Sequence, residues 1–422
     1  MFFNWGVFMK ICVVGIGFIG LPTACLLASK GFHVLGVDIN EDYVNKLKTN
    51  RLKIEEKNIN DLLEKSLNDK SLTLDTKPSR ADIFIICTPT PLDENKKPDL
   101  SYLIEGINSI LPYLNKGNMV IIESTIPLKT TQEIIRPIIE AMGFQVGKDI
   151  YLAHCPERVL PGEILYELVH NNRIIGGCTE NCSNKVKNFY EKFVKSEIHT
   201  TTADIAEMVK LVENSYRDVN IALANELMIT CNKLGIDPYD VVSLANKHPR
   251  VNLLDFSIGV GGHCLPVDPY FIIDSFPETS KLLATARNIN NSMPKYIASK
   301  IERFLNQKNN PKIGVWGVSY KKNSSDIRNS PALEIVNILK DKGYCVNIYD
   351  PLVNGINYDK IKYESIMDSN FLIILVGHDE FIEEDYEEIA SLMDSPIILD
   401  GANILEKINI PKNVEHYNLM KI

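Results

Sequence analysis

The sequence predicts an α/β protein in which two doubly wound parallel sheets are joined by a helical central domain with a long helix. Two segments, residues 10–39 and 312–351, read as strand, glycine turn, helix and strand, and they predict the two sheets. Residues 204–234 contain no proline or glycine and predict one helix about 45 Å long. A chain of 422 residues has room for two or three domains. We place these domains at residues 9–200, 201–300 and 301–422.

The composition excludes several classes of partner. The net charge of −9 argues against nucleic acid or an anionic membrane as the main partner. No apolar run reaches the roughly 18 residues that a membrane span needs. The nine cysteines form no C-x-x-C pair, which is typical of a reducing cytoplasm. Cys178, Cys182 and His199 have metal-ligand character but lack a fourth ligand, so we expect no metal site.

The first eight residues, 1–8, are apolar but have neither a basic leader nor a small-residue cleavage site. We therefore expect a short tail rather than a signal peptide, with Met9 as an alternative start.

The first strand–helix–strand segment carries a dinucleotide-binding pattern. An apolar run, residues 11–14, leads into Gly15, Gly17 and Gly20, and the second strand ends at Asp38, 18 residues past the last glycine. The glycines allow a tight turn, close approach of a pyrophosphate and close packing of helix on strand. Asp38 would bind the ribose hydroxyls and repel a 2′-phosphate, which favours NAD over NADP. This segment therefore predicts a Rossmann-like NAD-binding domain.

Three further apolar runs, residues 81–91, 117–127 and 149–159, predict parallel strands that end in small or polar residues. Thr88 and Thr125 lie at two of these ends, where ligands of open parallel sheets bind. The alternative is that both threonines cap turns.

The long predicted helix carries a polar stripe. Lys210, Asn214 and Arg217 are spaced i, i+4 and i+7, so they share one face. Apolar residues such as Val212 and Tyr216 lie between them and predict a helix that is buried on several sides. Such a helix joins two lobes or forms a subunit interface.

A second chemically distinctive stretch is "GVGGHCLPVDPYF", residues 259–271. Cys264 follows Gly261, Gly262 and His263, and Asp268 comes four residues later. The thiol is either a small buried hydrophobic group or a nucleophile that a ligand approaches closely. We expect the glycines to leave space for a reacting group.

The segment 312–351 repeats the strand–turn–helix–strand pattern, with its second strand ending in Asp350, and its first strand and turn contain Gly314 and Gly317. The three-glycine pattern is absent, which favours a second nucleotide-binding lobe with different phosphate chemistry. Residues 371–377 and 395–403 add buried strands.

Seven segments in this order resemble the UDP-glucose/GDP-mannose dehydrogenase family across nearly the whole chain: "GIGFIGLPTA", "TPTP", "EST", "CPERVLPG", "AEMVKLVENSYRDVNIALANEL", "GVGGHC" and "SYKKNSSDIRNSPALEI". The stretches "ERVLPG", "RDVNIALANEL" and "ANKHPRVN" are most similar to members that oxidise UDP-N-acetyl-D-mannosamine. The resemblance implies NAD-dependent four-electron oxidation of the sugar C6 alcohol to a carboxylate, through a thiohemiacetal and a thioester on a cysteine.

The resemblance also implies a set of catalytic residues: Cys264, Lys210, Asn214, Asp268 and Glu157. Cys264 would be the nucleophile. Lys210 would stabilise charge on the C6 oxygen or transfer a proton, and Asn214 would orient Lys210. Asp268 would act with a water molecule, and Glu157 would assist thioester hydrolysis. The alternative for Glu157 is a salt bridge with Arg158.

The implied binding residues fall into two groups. Those for the UDP-sugar are Arg158, Val159, Lys210, Asn214, Arg217, His248, Arg250, Gly261, Tyr320 and Lys321. Those for NAD are Gly15, Gly17, Phe18, Ile19, Gly20, Asp38, Thr88, Thr125 and Arg328. In the family the position of Arg250 reaches the neighbouring subunit, which implies a homodimer or a homotetramer.

The sequence departs from the family pattern at two positions, and three alternative functions remain. Ser325 replaces the first of two acids that often precede Arg328, and Tyr43 stands where relatives often have arginine.

The same chemistry on UDP-N-acetylglucosamine or UDP-glucose is the nearest alternative, because a small pocket change shifts selectivity by only about 1–3 kcal/mol. A two-electron hydroxyacid dehydrogenase would not need Cys264. A non-catalytic NAD-sensing protein would not need Cys264, Lys210 and Asp268 together.

Overall fold

The computed structural model describes residues 9–49, 51–52, 54, 56–353, 355 and 361–422, so the tail expected at residues 1–8 lies outside it. The chain forms two compact units, one ending at Glu213 and the next beginning at Asn214. Among the described residues, no helix is long and apolar enough to cross a membrane.

The first unit contains an eight-stranded sheet with the order β3-β2-β1-β4-β5-β6-β7-β8. Its strands are β1 (Lys10–Val14), β2 (His33–Val37), β3 (Leu72–Asp75), β4 (Ile83–Ile86), β5 (Met119–Ile122), β6 (Tyr151–His154), β7 (Arg173–Gly177) and β8 (Ile198–Thr202). Neighbouring strands are parallel except for β6 and β7, which are antiparallel. The order of the first six strands is that of a dinucleotide-binding fold, as predicted.

Both faces of this sheet are covered. On one face lie Ile11, Val13, Ile83 and Ile85, and on the other Cys12, Val14, Phe84 and Ile86, all at most 7% exposed. Side chains alternate between the faces of a strand, so a strand buried on both sides reads as a continuous apolar run. This is why the apolar runs of the sequence located β1 and β4 correctly.

The helices of the first unit are α1 (Gly20–Ser29), α2 (Glu41–Lys48), α3 (Ile59–Asn68), α4 (Ser101–Ile110), α5 (Arg136–Glu140), α6 (Ile164–His170) and α7 (Glu180–Tyr190). Side-chain caps begin two of them: Asn40 accepts the N–H of Tyr43 before α2, and Thr179 accepts the N–H of Cys182 before α7.

The long helix α8 (Ala203–Leu234) has 32 residues and continues across the boundary between the two units. Its existence was predicted correctly, but the expectation that its apolar residues are buried on several sides is wrong for two of them. Val212 is 49% exposed and Tyr216 is 56% exposed within the single chain. An apolar pattern does not distinguish burial within a chain from a surface left for a partner.

The second unit contains a five-stranded parallel sheet with the order β10-β9-β11-β12-β13. Its strands are β9 (Lys312–Trp316), β10 (Cys345–Tyr349), β11 (Phe371–Ile374), β12 (Ile397–Asp400) and β13 (Glu415–Asn418). Its helices are α9 (Pro238–Ala245), α10 (Asp268–Ser275), α11 (Lys281–Leu305), α12 (Pro331–Asp341), α13 (Asp379–Ile382) and α14 (Tyr386–Leu392). This is the other common doubly wound strand order, so the predicted fold class is confirmed.

The second lobe differs from the first in the connection between its first strand and first helix. In the first unit, five residues, 15–19, join β1 to α1, whereas residues 317–330 separate β9 from α12. This longer loop carries Tyr320 and Lys321, two of the residues expected to bind the UDP-sugar.

Candidate active site

The glycine-rich turn after β1 is packed as the sequence predicts. Gly15 has φ +87°, and a Cβ there would lie 2.8 Å from the carbonyl oxygen of Cys87. A Cβ on Gly20 would lie 1.9 Å from the carbonyl oxygen of Gly15. A Cβ on Gly17 would meet no atom within 4 Å among the described residues. Two glycines are therefore required by the fold, and the third leaves open space beside the turn.

This turn fits the pyrophosphate of a dinucleotide. The open side of Gly17 lies just before the N-terminus of α1, whose first turn contains no acidic residue, and free N–H groups at a helix N-terminus attract phosphate. The buried Thr88 Oγ1 has no hydrogen-bond partner within the described part of the chain. Asp38 is partly exposed at the end of β2 and accepts the N–H of Asn40 at 3.0 Å. Phe18 is exposed beside Gly17.

The register of the sheet brings the predicted cofactor residues to one edge. Val14 pairs with Ile86, and Ile86 pairs with Ile122, so β1, β4 and β5 end side by side. The Ser124 hydroxyl donates to the Thr88 carbonyl at 2.6 Å, and the Thr90 hydroxyl donates to the Thr125 carbonyl at 2.5 Å. These bonds fix both segments at the edge where ligands of such sheets bind.

Substituting the glycines separates their roles. We expect Gly17→Ala to keep the free energy of unfolding within about 0.5 kcal/mol of the native value, because its Cβ has room. The same methyl group occupies space that a pyrophosphate needs, so the Kd for NAD is expected to rise at least about tenfold. Gly20→Ala is expected to destabilise the fold by about 3 kcal/mol or more, through the clash with Gly15. Denaturation and calorimetric titration of NAD measure both effects, and a stable Gly20→Ala would contradict this assignment.

Tyr43, the departure noted in the sequence, has a definite role. Its hydroxyl donates to the carbonyl of Ile16 at 3.0 Å, inside the glycine-rich turn. Burial, together with the nearby Asp38, raises the pKa of Tyr43 to about 12. Tyr43 is therefore a neutral anchor for the turn rather than a cation available to a phosphate.

The ends of β5, β6 and β7 enclose a charged cluster that sequence reasoning missed. Arg173 begins β7 and is buried; its Nη2 donates to Glu157 Oε2 at 2.9 Å, and its Nη1 lies 3.4 Å from Glu123 Oε1. The Tyr190 hydroxyl donates to Glu123 at 2.6 Å, and its ring lies 4.7 Å from the guanidinium carbon. Burial raises the pKa of Glu123, and Arg173 opposes that shift. The strand pattern of residues 173–177 did not indicate that Arg173 lies in a buried charged cluster.

The salt bridge between Glu157 and Arg158, given above as the alternative role of Glu157, is not formed. Glu157 pairs instead with Arg173 and accepts only the backbone N–H of Arg158, at 2.7 Å. The Arg158 guanidinium lies 2.6 Å from Glu213 and also donates to the carbonyl of Asn172. Adjacent residues in an extended segment point in opposite directions, which explains the separation. Val159 is partly buried and packs against the core of this unit.

Glu207, in the first turns of α8, is a buried carboxylate that holds the segment after Thr125. It accepts the N–H of Lys129 at 2.5 Å and both the N–H and the hydroxyl of Thr131 at 2.9 and 2.6 Å. Burial raises the pKa of Glu207 to about 7, although these three hydrogen bonds favour the charged form.

This raised pKa predicts a pH-dependent stability. Because the carboxyl of Glu207 ionises at a higher pH in the folded than in the unfolded chain, its contribution is fully present below about pH 4.5 and is lost as the pH rises through about 7. The loss is on the order of 3 kcal/mol. We expect Glu207→Gln to flatten the dependence of the unfolding free energy on pH across this range. An unchanged pH dependence in the variant, measured by chemical denaturation, would assign it to another group.

In the second unit, the glycines before Cys264 pack tightly. A Cβ on Gly261 would lie 2.7 Å from the carbonyl oxygen of Asn329, and one on Gly262, where φ is +92°, would lie 2.9 Å from the Tyr320 ring. The Gly262 N–H donates to the carbonyl of Arg328 at 3.0 Å, and the Asn329 side chain donates to the Gly262 carbonyl at 2.9 Å. The expectation that these glycines leave space for a reacting group is therefore wrong: their faces are filled by the loop after β9.

Charged side chains lie on the loop after β9, which packs against the segment that carries the partly buried Cys264. Asp326 accepts from Arg328 through both oxygens, at 2.6–3.1 Å, and lies 3.7 Å from His263 Nδ1. Burial raises the pKa of Tyr320, and Asp326 and Cys264 raise it further. The charges of Arg328 and Arg217 oppose that shift. Arg328, expected to contact NAD, is thus paired with Asp326 beside the cysteine loop.

Asn214 and Asp268, which are 54 residues apart in sequence, are in direct contact. The Asn214 side-chain amide donates to Asp268 Oδ2 at 2.6 Å, and both residues are buried. Asp268 begins α10, and its N–H donates to the carbonyl of Cys264 at 2.8 Å. One hydrogen-bonded chain thus connects α8 to the cysteine loop. Lys210 lies one turn before Asn214 on the same helix, in the first unit.

The remaining predicted substrate residues lie on exposed or partly exposed positions. Lys321 follows Tyr320 on the loop after β9, and Arg217 is exposed on α8. His248 and Arg250 are exposed beyond the end of α9, and the Arg250 N–H donates to His248 Nδ1 at 3.3 Å. Among the described residues of the second unit, no contact joins His248 or Arg250 to Cys264.

A buried polar network that the sequence did not reveal holds α8 against α11. Asp218 Oδ1 accepts from Arg287 at 2.5 Å and from Asn290 at 2.8 Å. Asn290 accepts from Asn225 at 2.9 Å, and Asn225 accepts the N–H of Ser257 at 2.8 Å. The network therefore reaches the chain that leads to Gly261 and Cys264.

Three other cysteines, Cys155, Cys178 and Cys182, are buried. Cys155 is fully buried, and burial raises its pKa to about 11. Burial also lowers the pKa of the preceding His154 to about 3, so this imidazole is neutral at ordinary pH. Cys178 and Cys182 are buried, whereas His199 pairs with Glu197 on the surface. The described residues contain no cluster of three or more metal-binding side chains.

Comparison with known proteins agrees with the geometry of both units. Residues 9–194 match the NAD binding domain of the UDP-glucose/GDP-mannose dehydrogenase family, residues 204–292 its central domain and residues 314–407 its UDP binding domain. The chain is 46% identical over 406 residues to the UDP-N-acetyl-D-mannosamine dehydrogenase of Methanococcus vannielii, covering 94% of this chain and 93% of that one. It is 47% identical over 409 residues to the enzyme of the same name from Methanocaldococcus jannaschii, covering 95% and 94%.

A solved structure of the UDP-D-ManNAc dehydrogenase from Pyrococcus horikoshii is 40% identical, covers 98% of this chain and 99% of that one, and superposes with a TM-score of 0.92. The glycine-rich turn, the orphaned Thr88 hydroxyl and Asp38 fit the NAD that such enzymes use. The chain therefore belongs to the UDP-glucose/GDP-mannose dehydrogenase family and is an NAD-dependent nucleotide-sugar dehydrogenase.

Proposed function

We propose that the protein oxidises the C6 alcohol of UDP-N-acetyl-D-mannosamine to the carboxylate, giving UDP-N-acetyl-D-mannosaminuronate in a four-electron reaction. The observation that carries this proposal is the 46–47% identity, over more than nine-tenths of both chains, to enzymes named for this substrate. The contact of Asn214 with Asp268 beside Cys264 supports the chemistry.

Cys264 is the proposed nucleophile. Bound NAD would supply the hydride acceptor for each of the two oxidations at C6. Between them, the sulfur of Cys264 adds to the aldehyde carbon and the oxygen is protonated, giving a thiohemiacetal. After the second oxidation, water adds to the thioester carbonyl, the C–S bond breaks, and the sulfur leaves as a thiolate while the carboxylate forms. A thiol suits both steps because it is a good nucleophile and a good leaving group.

Four other residues have proposed roles in these steps. Lys210 stabilises negative charge on the C6 oxygen or transfers the proton of that oxygen, and Asn214 orients Lys210. Asp268, held by Asn214 at 2.6 Å, acts with a water molecule. Glu157, whose carboxylate is held by Arg173, assists hydrolysis of the thioester.

The proposed binding residues for the substrate combine cations with groups that position the sugar. A diphosphate requires Arg and Lys donors. The proposed substrate set is Arg158, Val159, Lys210, Asn214, Arg217, His248, Arg250, Gly261, Tyr320 and Lys321. The proposed NAD set is Gly15, Gly17, Phe18, Ile19, Gly20, Asp38, Thr88, Thr125 and Arg328.

We further propose a homodimer or homotetramer in which Arg250 serves the neighbouring subunit. Its exposed position beyond α9, together with the exposed apolar residues Val212, Tyr216 and Leu223 of α8, supports this assembly. The three matched family segments support a division into domains at residues 9–200, 201–300 and 301–422.

The proposed substrate is tested by initial rates with UDP-N-acetylmannosamine, UDP-N-acetylglucosamine and UDP-glucose at equal concentrations. We expect NADH formation mainly with UDP-N-acetylmannosamine, by about tenfold or more over the others. A preference for another of these sugars would keep the chemistry and overturn the substrate. Failure to reduce NAD with any of them would favour a binding protein without catalysis.

Asp38 is expected to select NAD over NADP. Asp38→Ala removes a carboxylate that binds ribose hydroxyls and repels a 2′-phosphate. We expect the Kd for NAD to rise about tenfold and the NAD-over-NADP preference to shrink by a larger factor. The preference is measured as the ratio of kcat/KM for the two cofactors. An unchanged ratio would place the selectivity at another residue.

A further inference from the structure

In each sheet an aspartate follows the second strand, but the two aspartates differ in burial and in hydrogen-bond partners. Asp38 after β2 is partly exposed. Asp350 after β10 is buried, and its carboxylate accepts four backbone N–H groups: those of Val318 and Ser319 on one oxygen, and those of Leu352 and Val353 on the other, all at 2.8–3.2 Å. A carboxylate occupied in this way is not available to bind a ribose.

The fifth partner of Asp350 is the imidazole of His378, which is also buried. His378 Nε2 lies 3.1 Å from Asp350 Oδ2, and its Nδ1 accepts the N–H of Asn323 at 2.9 Å. An Nδ1 that accepts a hydrogen bond carries no proton, so Nε2–H donates to the carboxylate. Burial raises the pKa of Asp350, but the hydrogen bonds from His378 and the backbone outweigh it and hold that pKa below its usual range.

These contacts fix both ends of one loop segment, residues 318–323. Asp350 holds its first two N–H groups and His378 holds its last one. Between them, the Ser319 hydroxyl donates to the Lys321 carbonyl at 2.8 Å. The Tyr320 N–H donates to a carbonyl outside the segment, that of Asp326, at 2.9 Å. The segment therefore has hydrogen-bonded ends and carries Tyr320 and Lys321 at its centre.

The same segment supports the cysteine loop. The Tyr320 ring packs so closely on Gly262 that no Cβ fits there, and Gly262 lies two residues before Cys264. A shift of the segment therefore reaches both the side chains proposed for the UDP-sugar and the loop of the proposed nucleophile.

We propose that Asp350 and His378 form a buried positioning pair that holds residues 318–323 in the conformation that binds the uridine diphosphate of the substrate. This inference rests on the proposed function for the roles of Tyr320 and Lys321. Neither Asp350 nor His378 contacts the substrate; each acts through the backbone of the segment.

Three substitutions of His378 separate its two hydrogen bonds. His378→Asn places an oxygen near the former Nδ1 and keeps the acceptor for Asn323, whereas His378→Gln places an amide near the former Nε2 and keeps the donor to Asp350. His378→Ala removes both. The matched control is His416→Gln, an exposed histidine on β13 of the same sheet. Each variant is compared by calorimetric titration of UDP and of NAD, by steady-state kinetics, and by backbone hydrogen exchange of residues 318–323.

We expect His378→Ala to raise the Kd for UDP and the KM for the UDP-sugar at least about tenfold, to speed exchange in residues 318–323, and to leave the Kd for NAD unchanged. The one-sided variants should lie between the native protein and His378→Ala, and the control should match the native protein. A purely structural role would instead weaken NAD and UDP binding together. If His378→Ala does not fold, the two one-sided variants decide: a raised Kd for UDP with an unchanged Kd for NAD supports the proposal, and an unchanged Kd for UDP in both overturns it.

Unchanged UDP affinity in a folded His378→Ala would overturn the proposal, and so would unchanged exchange in residues 318–323. If the native protein does not bind UDP, the proposed substrate fails independently. The positioning pair is then judged on hydrogen exchange alone, where unaltered exchange in His378→Ala would refute it.

Discussion

Cys264→Ser is expected to reduce formation of the uronic acid on the order of 10³-fold or more, while UDP and NAD still bind. A serine hydroxyl is a much weaker nucleophile than a thiol at neutral pH, and an alkoxide is a much poorer leaving group than a thiolate. The cysteine loop is held by contacts with Arg328, Asn329 and Tyr320, and serine is close to cysteine in size, so the loop should keep its conformation. Acid formation is measured by chromatography of the UDP-sugars, and binding by calorimetry.

The matched control is Cys345→Ser, which changes an exposed cysteine at the start of β10. We expect this variant to turn over at the native rate. Acid formation by Cys264→Ser at a rate near that of the control would exclude a covalent role for Cys264.

Arg173→Ala is expected to lower the free energy of unfolding by about 3–5 kcal/mol. The substitution leaves the carboxylates of Glu123 and Glu157, whose side chains are 0% and 10% exposed, without their cation. It also removes the guanidinium that packs over the Tyr190 ring. Denaturant unfolding measures the loss.

Two further variants distinguish the buried charge from general damage. Arg136→Ala breaks a half-exposed pair with Glu140, at 3.1 Å, and should cost less than about 1 kcal/mol. Adding Glu123→Gln to Arg173→Ala should recover part of the loss, because it removes one of the two stranded charges. A cost for Arg173→Ala no larger than that for Arg136→Ala would show that the cluster is not held by its charges.

Features encoded by a few neighbouring residues were predictable from the sequence. The turn at Gly15, Gly17 and Gly20 lies within one short segment, in which Gly20 packs on the carbonyl of Gly15, and the spacing of the glycines is enough to indicate it. Strands buried on both faces, such as β1 and β4, are visible as apolar runs. The long helix was visible because nothing in residues 204–234 interrupts it.

Features that depend on which strands and loops become neighbours were not predictable. Arg173 meets Glu123 and Glu157 only because β7 pairs antiparallel with β6, the one such pairing in the described part of the first sheet. The packing of Gly262 on Tyr320 and the contact of His378 with Asp350 join residues far apart in sequence. Local pattern also failed for Val212 and Tyr216, since an exposed apolar residue looks the same in the sequence as one in the core.

The most direct test of the central claim is the number of NADH molecules formed per molecule of UDP-N-acetylmannosamine consumed. The proposed mechanism predicts two, with the uronate as the product and no free aldehyde, because Cys264 retains the intermediate until its second oxidation. One NADH per sugar, with the aldehyde accumulating in solution, would contradict the role of Cys264 and the four-electron reaction.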